Sequence, residues 1–152
     1  MVELLLSLRR YPILRDIARA ILRGYYSLMI PNSVVLGEGT RIIHSNGVNF
    51  HPKVVVGRNC RLHHEVSIGR ANIEVDEPED YPGVVIEDDV ILGAHVKIYA
   101  PEEGLTVGRG TLVAACALLL ESTGEYEVWA GLPARKVGDR ERPDAARSQI
   151  SD

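Results

Sequence analysis

His44–Gly69 reads HSNGVNFHPKVVVGRNCRLHHEVSIG. Apolar residues recur in it at every sixth position, Phe50, Val56, Leu62 and Ile68, and four of the five histidines of the chain, His44, His51, His63 and His64, lie inside it. A period of six is neither the 3.6-residue turn of a helix nor the plain alternation of a strand. It is the period of a hexapeptide repeat. Three short strands then make one triangular coil, each strand sending one apolar residue into a narrow core.

The comb extends both ways from this stretch. Upstream it runs through Ile30, Leu36 and Ile42; downstream through Ile86, Leu92 and Ile98, then Val107, Val113 and Leu119. A small or branched residue follows most comb positions four places on, as at Val34, Thr40, Val54, Cys60, Val66, Val90, Val96, Thr111 and Ala117. Glycine follows several directly, as at Gly37, Gly57, Gly69, Gly93 and Gly108. The count breaks between Ile42 and Phe50, between Ile68 and Ile86 and between Ile98 and Val107. Sorting comb residues by face puts Ile42, Leu62, Leu92 and Val113 on one side, Phe50, Ile68, Ile98 and Leu119 on the next, and Val56, Ile86 and Val107 on the third. The two later breaks therefore leave the coil at one corner. His44, His64, Ala94 and Ala115 each stand two places beyond a first-face comb residue, so the count stacks them on one ridge at about 4.8 Å per coil. Because Gly93, Ala94, Ala114 and Ala115 carry minimal side chains, that ridge would expose backbone amides to a long, amide-rich ligand.

The segment before Ile30 obeys a different rhythm. Pro12 opens a helical pattern in which Ile13, Ile17 and Ile21 line one face and Arg15, Arg19 and Arg23 another, ending at Gly24. Residues 1–24 hold five arginines against Glu3 and Asp16, a net +3 that leaves −7 for the remainder. Two readings are open: a helix covering the end of the core, or a basic amphipathic helix making peripheral contact with an anionic membrane. The expected organisation is a helical segment over 1–29, the coil over 30–120 with an excursion over 70–84, a closing segment over 121–138 and a polar tail over 139–152.

Composition narrows the function classes. With 152 residues the chain has room for one domain, and its aromatic content of 5% suits thin repetitive layers better than a bulky core. A net charge of −4 argues against nucleic acid as the partner. Cys60 and Cys116 have neither CxxC nor zinc-finger spacing, which predicts reduced thiols and a cytoplasmic setting, peripheral at most to the inner membrane face. No run of about 18 apolar residues is present. Arg9, Arg10 and Arg15 interrupt the start where a secretory signal would stay apolar.

From Ile30 to Gly138 the sequence resembles the hexapeptide-repeat acyltransferases, in particular serine acetyltransferase and the O-acetyltransferases of exopolysaccharide assembly. The His44–Gly69 stretch aligns with the family's catalytic segment, and Ala130–Gly138, AGLPARKVG, looks like its closing signature. The resemblance implies a mainly β, left-handed parallel β-helix, an exception to the right-handed crossover rule. It implies acetyl-CoA as acyl donor, no metal, and a homotrimer. His44 takes the family's general-base role, removing a proton from an acceptor hydroxyl as that oxygen attacks the thioester. His64 is its neighbour and second catalytic candidate. The donor site implied by the resemblance comprises Gly93, Ala94, Ala114 and Ala115 along the ridge, and Gly131, Pro133, Arg135 and Lys136 in the closing motif, the two cations facing the CoA phosphates.

Three departures bear on the acceptor. Ile43 and Met29 occupy positions where serine acetyltransferase carries aspartates, and Tyr81 replaces a second histidine before a proline. About thirty residues also cannot supply that enzyme's N-terminal domain. Glu65 and Tyr81 are the expected substrate contacts, Glu65 also being a candidate partner for His44. The reading is therefore an O-acetyltransferase acting on a hydroxyl of a sugar or lipid-linked glycan precursor. Serine O-acetyltransfer is the first alternative. A γ-carbonic-anhydrase-like metalloprotein, whose histidine pair five apart is missing here, and a non-catalytic β-helix subunit are the others. His51, His63 and His95 are expected to be surface residues.

Overall fold

Short extended segments separated by tight corners dominate the chain after residue 30. The computed structural model describes residues 2–8, 11–44 and 46–142. The side chains of Ile13, Arg15 and Arg19, together with Arg9, Arg10 and the tail beyond residue 142, lie outside the described residues.

The first coil consists of β1 (Val35–Leu36), β2 (Arg41–Ile42) and β3 (Asn49–Phe50), the second of β4 (Val54–Val56), β5 (Arg61–Leu62) and β6 (Ser67–Arg70). The third holds β7 (Val84–Ile86), β8 (Ile91–Leu92) and β9 (Lys97–Ala100), the fourth β10 (Leu105–Val107), β11 (Leu112–Val113) and β12 (Leu118–Leu119). Each strand pairs in parallel with its counterpart one coil away, giving three sheets: β1-β4-β7-β10, β2-β5-β8-β11 and β3-β6-β9-β12. The registers follow the sixfold count. Leu36, Val56, Ile86 and Val107 stack; so do Ile42, Leu62, Leu92 and Val113, and Phe50, Ile68, Ile98 and Leu119.

Each comb residue from the second coil onward is buried, as are the intervening Cys60, Val66, Val90, Val96, Thr111 and Ala117. Two of these inner residues, Cys60 and Thr111, carry polar atoms, as does Thr40 of the first coil, and one kind of bond explains all three. Thr40 Oγ1 donates to Gly57 O at 2.7 Å, Cys60 Sγ to Glu87 O at 3.0 Å and Thr111 Oγ1 to Gly124 O at 2.8 Å. A hydroxyl or thiol is therefore tolerated inside this corner because a carbonyl one coil on accepts from it. Burial pushes the Cys60 thiol above its ordinary pKa.

A charged clamp ties the second coil to the third at the same corner. The Asp88 carboxylate accepts the Arg58 amide N–H at 2.7 Å and the Arg58 guanidinium at 2.9 Å. Those bonds, the backbone one foremost, hold the Asp88 pKa below its ordinary value. A depressed folded-state pKa contributes stability above the unfolded pKa of about 3.9, lost as pH falls through the lower folded value. Asp88→Asn should accordingly flatten the loss of stability below about pH 4, measured by urea unfolding at pH 7 and pH 3. An unchanged acid limb would mean that the clamp does not report there.

Both ends of the stack are covered. At the C-terminal end β13 (Glu127–Gly131) adds in parallel to β11, setting Trp129 over Val113, and β14 (Ala134–Asp139) returns antiparallel to β13. At the other end lie α1 (Val2–Leu8) and α2 (Pro12–Tyr26). Leu5, Ala18 and Leu22 join the core with Leu28, Val34, Val48 and Phe50. This corrects the expected helix face: Ile17 is 60% exposed and Ile21 42%, while Ala18 and Leu22 face inward. Fourfold spacing drifts around a helix of 3.6 residues per turn, and the small Ala18 permits the closest approach to the coil. No described helix is long and apolar enough to cross a membrane.

The chain leaves the coil between β6 and β7, over residues 71–83, and between β9 and β10, over 101–104, in both cases at the corner after the third sheet. The longer loop is tethered rather than free. Glu77 accepts from His51 Nε2 at 2.6 Å and lies 3.2 Å from Lys53 Nζ, which also donates to Glu79 O at 3.0 Å. His51 is thus a half-buried anchor for this loop and not the surface residue expected.

Candidate active site

The corner between the second and third sheets carries the histidines. On its near side the N–H groups of Ile43, His63, Gly93 and Ala114 donate to Leu62, Leu92, Val113 and Trp129 carbonyls, at 2.7, 3.0, 2.9 and 2.8 Å. On its far side Glu65, His95 and Cys116 donate to the carbonyls of Asn46, His64 and Ala94, at 2.8, 3.0 and 2.8 Å. The second set decides the register. Asn46, and not His44, holds the rung level with His64 and Ala94. His44 instead opens the insertion that interrupts the count after Ile42, and its backbone turns into the left-handed region at φ 54°. The same left-handed conformation recurs at other corners of the coil, as at Asn59, Glu65, Asp89, His95 and Cys116.

Leaving the rung does not separate the rings. His44 and His64 lie 6.2 Å apart between centroids, in an edge-on arrangement, and His64 lies 5.1 Å from His95. The Nδ1 atom of His64 is buried and has no hydrogen-bond partner among the described residues. Glu65 does not reach His44 as its orienting partner. Its carboxylate lies 3.0 Å from His95 Nδ1. His95 is a surface residue, as expected, and is also part of the cluster. The signal was present in the count, because Glu65 and His95 both stand three places beyond a first-face comb residue.

Beyond the histidines the ridge narrows to backbone. A Cβ on Gly93 would sit 2.6 Å from Ala115 N and 2.9 Å from its Cα, so only glycine lets the two coils close up there. Ala94 is half-buried and Ala115 exposed. The ladder uses the N–H groups of Gly93, His95, Ala114 and Cys116; those of Ala94 and Ala115 are outside it. Further along, Gly131 and Pro133 form the turn of the closing hairpin, with a cis Leu132–Pro133 bond. Arg135 pairs with Glu121 at 2.7 Å, and Lys136 with Asp139 at 2.7 Å and Glu127 at 3.0 Å. Asp139 first, then Glu127, raise the Lys136 pKa. Both cations expected to face phosphates are thus held by carboxylates of the same chain.

Tyr81 belongs elsewhere. It is 3% exposed, packed at the corner after the third sheet with its ring 5.6 Å from that of His51, and its hydroxyl has no partner among the described residues. Burial, then the charge of Glu77, raises its pKa. Tyr81 and Glu65, the two expected substrate contacts, thus stand at different corners of one chain. Among the described residues no group of three or more His, Cys, Asp or Glu side chains is arranged to hold a metal ion.

No family model matches the chain. Its likeness to solved structures is informative about the fold. It superposes on Neisseria gonorrhoeae serine acetyltransferase with a TM-score of 0.76 at 19% identity, covering 99% of this chain and 56% of that one. The coenzyme A complex of Brucella abortus serine acetyltransferase gives 0.72 at 23% identity, over 92% and 54%. The fold is that of the serine acetyltransferases. The three-sheet coil is thus a left-handed β-helix of hexapeptide repeats, the fold class expected from the comb. Among curated relatives, a 2,3,4,5-tetrahydropyridine-2,6-dicarboxylate N-acetyltransferase of Ligilactobacillus salivarius is 36% identical over 78 residues, 51% of this chain and 32% of its own length. Serine acetyltransferase 2 of Arabidopsis thaliana is 28% identical over 117 residues, 77% of this chain and 34% of its own. The matched part of the chain therefore spans about a third of these relatives' length.

Proposed function

We propose that this β-helix is an acetyl-CoA-dependent O-acetyltransferase that modifies a hydroxyl of a sugar or glycan precursor. The observation that carries the reading is His44, displaced onto a left-handed insertion at the head of a ridge whose Ala94 and Ala115 amides are free of the coil ladder. Such amides suit the paired amide groups of a pantetheine arm, with Gly93 keeping the strip shallow. The acetyltransferase names of the relatives support the donor. So does the coenzyme A bound by the B. abortus protein. Arg135 and Lys136, at the far end of the ridge, would exchange carboxylates for phosphates. In the reaction His44 takes the acceptor's proton as its oxygen attacks the thioester carbonyl; collapse of the tetrahedral intermediate then expels the CoA thiolate.

The acceptor follows from what surrounds His44. Ile43 precedes it and Met29, 47% exposed, lies on the strand bridge to Asn49, so neither supplies a carboxylate for the ammonium group of an amino acid. A neutral polyol needs none. A homotrimer belongs to the same reading, because Tyr81 and His44 occupy different corners of one chain and would meet only across a subunit boundary. Serine as acceptor remains the second reading, favoured by the names of the solved relatives. Loss of thioester absorbance from acetyl-CoA, followed with serine, nucleotide sugars or lipid-linked glycans in turn, is the test. Turnover should depend on a sugar acceptor. Dependence on serine alone would replace the acceptor, and no turnover with any of them would overturn the proposal.

A further inference from the structure

The insertion that carries His44 is bonded to the end of α2, and a cleft opens beside that junction. Gly47 N–H donates to Tyr26 O at 3.2 Å, Met29 N–H to Val48 O at 2.8 Å and Phe50 N–H to Met29 O at 2.9 Å. Residues 26–29 therefore run along the outer edge of β3. Against this edge lies a cleft of about 330 Å³, whose lining includes the apolar Leu28, Met29, Ile30 and Phe50 and the polar Arg23 and Asn49. We propose that the cleft receives the lipid phosphate of a lipid-linked acceptor, a placement that rests on the glycan-acceptor reading above. The phosphate sits on Arg23, and the first carbons of the lipid lie against Met29 and Ile30.

Charge comes from the helix. Successive residues of α2 stand about 100° apart, so with Leu22 turned into the core Arg23 falls on one flank and Ile21 on the other. Arg23 is exposed, and its guanidinium finds no partner among the described residues. It offers five N–H donors in a planar fork that matches a pair of phosphate oxygens. Asn49 is likewise exposed with its side chain unpaired among the described residues, and its amide can donate to the same group.

The apolar lining decides what the phosphate is attached to. A nucleotide stacks its base on an aromatic face. The one ring in this lining, Phe50, is a buried comb residue. Met29 is exposed instead, and its unbranched thioether adapts to an irregular aliphatic chain. The element that borders the cleft also presents Ile17, Ile21 and Tyr25 to solvent, an apolar surface with no use for a free sugar.

The reach to the base is short. Five positions separate His44 from Asn49, at most about 18 Å of fully extended chain. The insertion is folded back on itself by the bond from Asn46 N–H to His44 O at 2.8 Å, which shortens that path. The hydroxyl presented to His44 therefore belongs to a sugar close to the phosphate and not to the far end of a long glycan. A cation in the last turn also complements the negative end of the helix dipole, so removing Arg23 costs some stability whatever the cleft binds. Selectivity between ligands, rather than stability, separates the two roles.

Titration calorimetry of the full chain with farnesyl phosphate, farnesol, inorganic phosphate and UDP tests this placement. Farnesyl phosphate should bind about tenfold or more tightly than farnesol, as for one charge-assisted contact, and more tightly than phosphate or UDP. Arg23→Gln should bring farnesyl phosphate down to the affinity of farnesol while circular dichroism reports an intact fold. No binding of farnesyl phosphate, a preference surviving in Arg23→Gln, or equal binding of UDP or phosphate would each overturn the placement. Acetyl transfer to a soluble sugar alongside any of these results would leave the proposed function standing. Farnesyl phosphate bound as expected by a chain that acetylates no sugar or glycan would instead remove the acceptor reading, and this placement with it.

Discussion

His44→Ala should lower kcat by about a hundredfold or more, the usual cost of a lost general base, while the KM for acetyl-CoA stays near its wild-type value. The donor groups along Gly93, Ala94 and Ala115 do not touch the insertion that carries His44, so the two constants should separate. The side chain is exposed, and alanine there removes no core contact, so circular dichroism should report an intact fold. The left-handed φ of 54° adds a modest strain for alanine; His44→Asn, which accepts that conformation, is the control. Wild-type turnover in both variants would take the base away from His44. A comparable loss in His64→Ala alone would move it to the neighbouring ring.

Leu92→Ala should be the most damaging change to the scaffold. Leu92 is fully buried and sits in register between Leu62 and Val113 in the middle of its stack. Unlike a side chain in a layered core, it has no second sheet that could slide in to fill the space, because the neighbouring coils are fixed by the ladder at each corner. The expected cost is about 2–5 kcal/mol, at the upper part of that range for a site that cannot collapse. For a chain of this size the midpoint of thermal unfolding should fall by about 10 °C. A shift within about 2 °C would contradict the stacked core.

The fold was legible because its determinant is arithmetic. One apolar residue per strand, six apart, is enough to assign faces, and the faces recovered for Leu62, Ile68 and Ile86 are those of the sheets. Where the count breaks, arithmetic stops short. Two residues too many between Ile42 and Phe50 can be placed anywhere in the corner, and counting forward put His44 on the rung that Asn46 occupies. Only the hydrogen bond from Glu65 to Asn46 places the insertion at His44. The Glu65–His95 pair lies within reach of the same count, each residue standing three places beyond a first-face comb residue although the excursion sets thirty positions between them. His51 was misjudged because its partner, Glu77, lies within the excursion, where no repeat indicates which acid turns inward. On α2 the reading failed differently. Apolar residues stand on both the exposed and the buried faces there, so composition could not tell Ile17 and Ile21 from Ala18 and Leu22.

The closed ends of the coil have a metrical consequence. From the rung of His64 to the hairpin that bears Arg135 the stack Leu62, Leu92, Val113, Trp129 advances by three spacings, about 14 Å. Helices pack at one end and β13 and β14 continue the second sheet at the other, and between them this span is a gauge whose unit is a whole coil. For the proposed donor, the distance between thioester and phosphates would be matched to a number of rungs and not to any side chain. Point substitutions could then alter how tightly the arm is held, but a change in the length of arm accepted would require inserting or deleting a complete turn of the helix.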